Sequence, residues 1–506
     1  MDFPTEVDVI VIGTGVTETI VSGAFSRAGK TVLHLDENNY YGSDWASFNL
    51  SSFLDFVSEN ESIRENKDID KIEMLSFIPD EEENGLPPSD PLEETTVWTW
   101  KKLKLLSNKI SIDISPRFVF SKGPMVDLLV NSNICRYLEF KNCTRLLVIN
   151  PTDDGYKTMA VPCSRESIFN DSSLSLIQKR KMMKFIDYCM GLKNKPEELD
   201  KVKQVSFKDF LEGQGFDERL KSVINCVSIQ EVVSVDDFLK NMDHFTQSVG
   251  RFGPTPFLWP LYGAGELPQA FSRLSAVFGG TFCLGQEIKQ VSQLEDDFIE
   301  VKFNDKSVKC KILVGNQSSL PQDILSLDSS VQEKCYSLAI CLTNQSIQGI
   351  DQNQVTFGRI PWSDDCNITL IEVGSGTLCV PKGLFLVYLS CMSSQVDGVK
   401  MTAKQKLMPV VEKLFSKPTE PDKAVEYKPQ VLWCSFLDRS APGKMISRLP
   451  GVSVVFNPLH EQDYESCIFE GKEIFHKYFP SEEFLPRAPD AEDIIMEDDP
   501  EADGNE

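Results

Sequence analysis

The residues best placed to do chemistry stand near the start of the chain. Gly13, Gly15 and Glu18 lie in VIGTGVTET at the spacing of a phosphate-binding turn, and the acidic pair Asp36-Glu37 follows at the end of the next apolar run. Glycines in such a turn let the backbone close on a pyrophosphate. The helix N-terminus behind it offers free N–H groups and the positive end of the helix dipole. That chemistry is dinucleotide binding. The motif wants a third glycine where Glu18 stands. A carboxylate there carries negative charge to the place of the pyrophosphate, and its side chain blocks close approach. The first turn alone leaves two readings open: a flavin or nicotinamide enzyme with a tolerated variant, or a nucleotide-type fold whose cofactor seat is lost.

The elements that must position these residues form a βαβ start. Val7 to Ile12 is a short apolar, β-branched run suited to a buried parallel strand. Thr17 to Arg27 reads as a helix with Ile20, Val21, Ala24 and Phe25 on its apolar side, and Gly29 marks its stop. Thr31 to Leu35 is the second strand.

Composition bounds the rest. A chain of 506 residues corresponds to roughly three domain equivalents and can bury a large core. Its net charge of −25 argues against a nucleic-acid footprint and favours solubility. Fourteen cysteines include no CxxC pair, and only four histidines are present, which argues against a zinc site and for reduced thiols in the cytosol. MDFPTEVD lacks the basic and apolar character of a signal peptide. No apolar run approaches the length of a membrane span, and DGNE is not a prenylation box.

Along the chain, residues 58–97 read as an acidic, solvated insertion centred on PDEEENGLPPSDPLEE. From Ser164 the pattern turns helical. SLSLIQKRKMMKFIDYCMGL sets Leu174, Ile177, Met182, Phe185, Ile186 and Met190 on helical spacing. Strands then dominate, broken by helices over Asp236–Phe245, Leu267–Val277, Thr402–Phe415 and Asp463–Tyr478. The expected organisation is an α/β domain over 1–163 and 236–488, a helical domain over 164–235, and an acidic flexible tail over 489–506.

Three stretches carry a family resemblance: LDENNYYG, RYLEFKN at Arg136–Asn142, and LYGAGELPQAFSRLSAVFGGTF. With these the chain resembles the Rab GDP-dissociation inhibitor and escort protein superfamily from Val7 to about Pro489. The resemblance implies a flavin-monooxygenase-like, Rossmann-type α/β domain carrying a small all-helical domain, with flavin binding lost and no cofactor or metal. Glu18 fits that pattern and tips the reading of the first turn away from a cofactor. It also implies a docking face for GDP-bound Rab GTPases, in which Tyr41, Glu266 and Arg273 match the platform tyrosine and the acid and base of the central motif. Such residues make sound anchors: a tyrosine offers rigid area plus a hydroxyl, and an arginine a directional fork.

The acidic insertion, SIDISPRFVFSKG with VDLLVNSNICRYLEFKN, and Phe169 with Arg180 look closer to the escort branch than to the inhibitor branch. There a phenylalanine and an arginine bind the α subunit of Rab geranylgeranyltransferase, an α/β heterodimer. The resemblance implies a non-catalytic component that presents new Rab to the transferase. The product's geranylgeranyl chain then shelters in the helical domain until transient membrane delivery. The alternatives are a recycling inhibitor and a flavin-dependent oxidoreductase. From the residues alone, Phe169 could be a helix-start staple, Arg180 a solvated residue, and Glu266 with Arg273 a surface ion pair.

Overall fold

The computed structural model describes residues 4–62, 71–80, 97–153, 155–192, 194–227, 234–328, 334–349, 354–363, 366–393, 401–418, 428–441, 443–456 and 463–487. The expected tail at 489–506 and most of the acidic stretch lie outside them.

The opening run builds the centre of a seven-stranded sheet. Glu6–Ile12 pairs in parallel with Val32–Leu35 on one side and with Lys306–Asn316 on the other. Alternate residues serve two cores, because side chains on a strand point to opposite faces. Val9 and Val11 pack with the first helix, Val16–Arg27, whereas Ile10 and Ile12 pack with Leu33, Ile299 and Phe303. The continuous apolar run is thus explained by burial on both faces. Thr281–Cys283 extends the sheet beyond Val32–Leu35, and the antiparallel strands Ile299–Phe303 and Ile288–Gln293 extend its other side.

The first helix packs against Glu266–Val277 and Glu465–Tyr478. Small residues allow the close approach. A Cβ on Gly471 would stand 3.3 Å from Ile20, and Ser22 and Ser26 each lie 2.9 Å from the Ser275 hydroxyl. Burial of Ile20, Val21, Phe25, Phe271, Leu274 and Phe475 holds the three together. Each fully buried side chain of this kind contributes roughly 1.5–3 kcal/mol.

An eight-stranded sheet lies beyond, and Lys71–Ser76 is its edge strand, antiparallel to Val431–Ala441. This differs from the loop expected over the whole of 58–97. Ile72 and Ile78 are buried in the main core, so two apolar residues suffice to draw part of an acidic segment onto the sheet edge.

Helices cover Arg165–Asn170, Leu176–Leu192, Pro196–Lys203, Phe207–Gly213 and Glu218–Asn225. Ser164, Ser206 and Asp217 cap three of them through side-chain acceptors. The group does not end at 235. Val235–Ser248 packs against Leu176–Leu192, Pro196–Lys203 and Phe207–Gly213, and Phe185, Phe207, Phe210 and Phe238 share an aromatic core with centroids 4.6–5.9 Å apart. Leu174, Met182 and Phe185 point inward as their spacing predicts. Ile177 does not: it is 70% exposed, as is its neighbour Leu176 at 74%. No described helix is long and apolar enough to cross a membrane.

Candidate functional site

The nucleotide seat is filled by the chain itself. Glu18 stands in the first turn of the Val16–Arg27 helix, fully buried, with its carboxyl folded over the glycine turn. A Cβ on Gly15 would meet Glu18 Oε2 at 2.5 Å, and Asn316 Nδ2 donates to Glu18 Oε1 at 3.0 Å. Burial raises its pKa from 4.5 to about 7, against the lowering effect of hydrogen bonds from its own amide and Asn316; Asp44 and Asp36 raise it further.

Asp36 is equally engaged. Its Oδ2 accepts from Thr14 N at 2.8 Å, Thr14 Oγ1 at 2.5 Å and Ser43 Oγ at 2.8 Å, and its Oδ1 accepts from Asn38 N at 2.8 Å. His34 closes the group from below. Burial holds its pKa down at about 4, and its Nε2 hydrogen-bonds the Gly13 carbonyl. These residues do not fit a dinucleotide, because a pyrophosphate would have to displace a buried carboxyl and a ribose would have to compete for a satisfied one.

Of the three residues proposed from sequence as a docking face, Tyr41 lies beside the closed seat, and Glu266 and Arg273 share one helix. Tyr41 is 37% exposed and its ring centroid is 6.2 Å from that of Phe282. Glu266 opens the Glu266–Val277 helix, and Arg273 lies two turns further along it, its guanidinium 4.4 Å from the Tyr137 ring centroid. Partial burial raises the Glu266 pKa.

Two residues that sequence reasoning passed over tie this region together. Asp113 accepts from Ser47 Oγ and, at 3.0 Å, from Ala264 N; Gly265 N donates to Ser47 Oγ at 2.8 Å. The loop from Tyr41 to Ser47 is thereby anchored to the residues that open the Glu266 helix. Gly263 is required for its φ of 110° and because a Cβ would stand 2.5 Å from Asp113 Oδ1. Burial raises the Asp113 pKa to about 7, and nearby Glu266 adds to the shift. No local motif announces Asp113, since its partners lie 66 and 151 residues away.

Phe169 and Arg180 sit apart from that face. Phe169 is near the end of the Arg165–Asn170 helix and is 76% exposed, so it is not a staple at the helix start. Lys179 Nζ donates to the Phe169 carbonyl at 2.6 Å, which brings the following helix alongside. Arg180 is exposed there, one turn from Leu176.

Between these helices lies a cavity of about 380 Å³. Ile168, Met182, Phe185, Met190, Phe238 and Met242 are among its walls. Its size is that of an ordinary small-ligand pocket, and its lining is apolar and rich in methionine, a side chain that adapts to irregular apolar shapes. The sequence placed apolar stripes in this block, but periodicity alone could not say which would line a cavity.

The chain matches known proteins over most of its length. The family model described as GDP dissociation inhibitor matches residues 3–79 and 106–430. The chain is 32% identical to Rab proteins geranylgeranyltransferase component A 1 of Caenorhabditis elegans, covering 96% of this chain and 95% of that protein. It is 29% identical to component A 1 of Homo sapiens, covering 98% and 94%. A probable secretory pathway GDP dissociation inhibitor 1 of Schizosaccharomyces pombe is 27% identical over 82% of this chain and 87% of its own length. Among solved structures, the Rab GDI of Plasmodium falciparum superposes with a TM-score of 0.68 at 19% identity, covering 95% of this chain and all of that one. An oxidoreductase from Methanosarcina mazei gives 0.56 at 15% identity, covering 93% of this chain and all of that one, so the α/β architecture is shared with redox enzymes. The chain belongs to the GDP dissociation inhibitor family, on the side of the Rab geranylgeranyltransferase component A proteins.

Proposed function

We propose that this chain is a non-catalytic escort that binds newly made, GDP-bound Rab GTPases and presents them to Rab geranylgeranyltransferase. The observation that carries the reading is the near end-to-end match to component A proteins, at 29–32% identity. Tyr41, Glu266 and Arg273 form the GTPase face. Phe169 and Arg180 meet the transferase heterodimer, a pairing of exposed aromatic and guanidinium typical of interface hot spots. The α/β part supplies the first face. The helical group, which we extend from 164 to 248, supplies the second face and shelters the geranylgeranyl chain in its cavity. In this scheme the chain makes and breaks no covalent bond. It holds the GTPase while the transferase acts on the C-terminal cysteines, then carries the lipid to a membrane.

The test is prenylation of unprenylated Rab by purified transferase with this chain added. The wild type supports lipid transfer, which a recycling inhibitor would not. Phe169→Ala lowers transferase assembly at least thirtyfold, the scale of a hot-spot loss of about 2 kcal/mol, and leaves GTPase binding intact. Full prenylation by that variant overturns the assignment of Phe169, and no transfer with the wild type overturns the escort reading.

A further inference from the structure

The helix Leu176–Leu192 is apolar on the side that walls the cavity and mixes basic with exposed apolar residues on the other. Leu176, Arg180 and Lys184 follow one another at four-residue steps, with Ile177 and Lys181 alongside. Leu176, Ile177 and Phe169 are exposed, Lys179 Nζ ties the Phe169 carbonyl to the helix, and Arg180, Lys181 and Lys184 are at the surface, Lys181 Nζ donating to the Gly215 carbonyl at 2.6 Å. Asp187, one turn further on, is paired with Arg165 at 2.5 Å. Glu166 and Asp171 on the neighbouring segment offset part of the charge. Lys179, Arg180, Lys181 and Lys184 nonetheless give this face a local basic excess in a chain of net charge −25.

We infer that this face docks on an anionic lipid surface, an inference that rests on the escort reading and adds a place of delivery to it. Large apolar side chains beside lysine and arginine are the composition of interfacial helices. Each basic side chain near an anionic leaflet raises affinity roughly fivefold. The net charge of the chain works against such a leaflet, so binding depends on a locally basic face. The face also lies on two of the helices that enclose the cavity, since Arg165, Ile168 and Met182 line it from within. A lipid leaving the cavity here has only a short path into the bilayer. Phe169 and Arg180 belong to the face, so a transferase seated on them and a membrane exclude each other, and delivery follows release.

The experiment is co-sedimentation of the full chain with vesicles of phosphatidylcholine alone or with 30% phosphatidylserine (about one lipid in three, a strongly anionic surface). The wild type binds the anionic vesicles at least tenfold better, and the difference shrinks as salt is raised. The double variant Lys181→Glu, Lys184→Glu leaves Phe169 and Arg180 in place. It loses at least tenfold on anionic vesicles while vesicle-free prenylation stays unchanged. Equal binding to both vesicle types overturns the inference, as does an unaffected double variant. If the double variant instead loses prenylation and keeps vesicle binding, the basic face serves a protein, and the inference falls while the escort reading stands.

Discussion

The turn at Gly13–Gly15 and the cavity of the helical group are both concave places where a ligand could sit, and opposite chemistry fills them. At the turn, polar groups of the chain stand where a cofactor would be: Glu18 over the glycines, and Asp36 held by Thr14, Ser43 and Asn38. In the helical group, apolar side chains leave a space of about 380 Å³ that nothing in the described chain occupies. The first site is closed because the Glu18 and Asp36 carboxyls find hydrogen-bond partners within the chain itself. The second stays open because methionine and phenylalanine walls impose no directional demand. One chain can in this way carry a closed polar seat in its α/β part and an open apolar cavity in its helical group.

The sharpest way to break that comparison is to titrate the closed seat. Glu18 has its pKa raised from 4.5 to about 7 by burial, and Glu470, close enough to repel it, is raised from 4.5 to about 8 by the same cause. An acid whose folded pKa is raised binds more protons folded than unfolded. Its contribution to stability is therefore full below pH 4.5 and is lost as pH rises through 7. At 1.36 kcal/mol per unit, the loss for Glu18 approaches about 3 kcal/mol. Glu18→Gln removes that dependence. Denaturant unfolding should show the variant more stable than the wild type at pH 8, by up to about 3 kcal/mol, and nearly equal to it at pH 4. Parallel stability curves across that range would mean the seat is wetter than its burial indicates.

Much of this was readable from the residues, for reasons that differ by region. Val9–Ile12 is an unbroken apolar run, as a strand covered on both faces requires, whereas Glu18 in a glycine position left a tolerated variant and a lost cofactor seat both open. The helical block announced itself by spacing, yet spacing could not separate Phe185, which is buried, from Ile177, which is not. A helical period marks one apolar stripe and is silent on a second one meant for a partner or membrane. The anchoring of Ser47 and Asp113 to the Gly263–Gly265 loop was invisible, because contacts across such separations leave no local pattern. The strand Lys71–Ser76 was hidden by the acidic residues around it.

A second test fills the open site as the first empties the closed one of charge. Met190 lines the cavity while remaining partly exposed, so Met190→Trp takes up space at small cost in packing strain. Retention of a geranylgeranylated GTPase, measured by competition with vesicles, should fall at least tenfold, or about 1.4 kcal/mol. Binding of the unprenylated GTPase should stay within about twofold, because the proposed GTPase face belongs to the other part of the chain. If both fall together, the two regions are coupled and the contrast between them is one of chemistry rather than of independent sites.

The smallest effect comes from the face beside the closed seat. Arg273 is exposed, and its guanidinium lies 4.4 Å from the Tyr137 ring centroid, a cation–π contact that favours one direction of the fork. Arg273→Lys keeps the charge and loses the planar fork and most of the stacking. The expected cost is about 0.5–1 kcal/mol, a two- to fivefold weaker association with GDP-loaded GTPase by titration calorimetry, with no change in lipid retention. The direction separates two roles for the same side chain. If lysine serves as well as arginine, Arg273 acts as a point charge, and orientation by Tyr137 has no part in recognition. If lysine is as poor as alanine, the fork itself meets the partner, and the closed seat has become the rigid back of a docking surface.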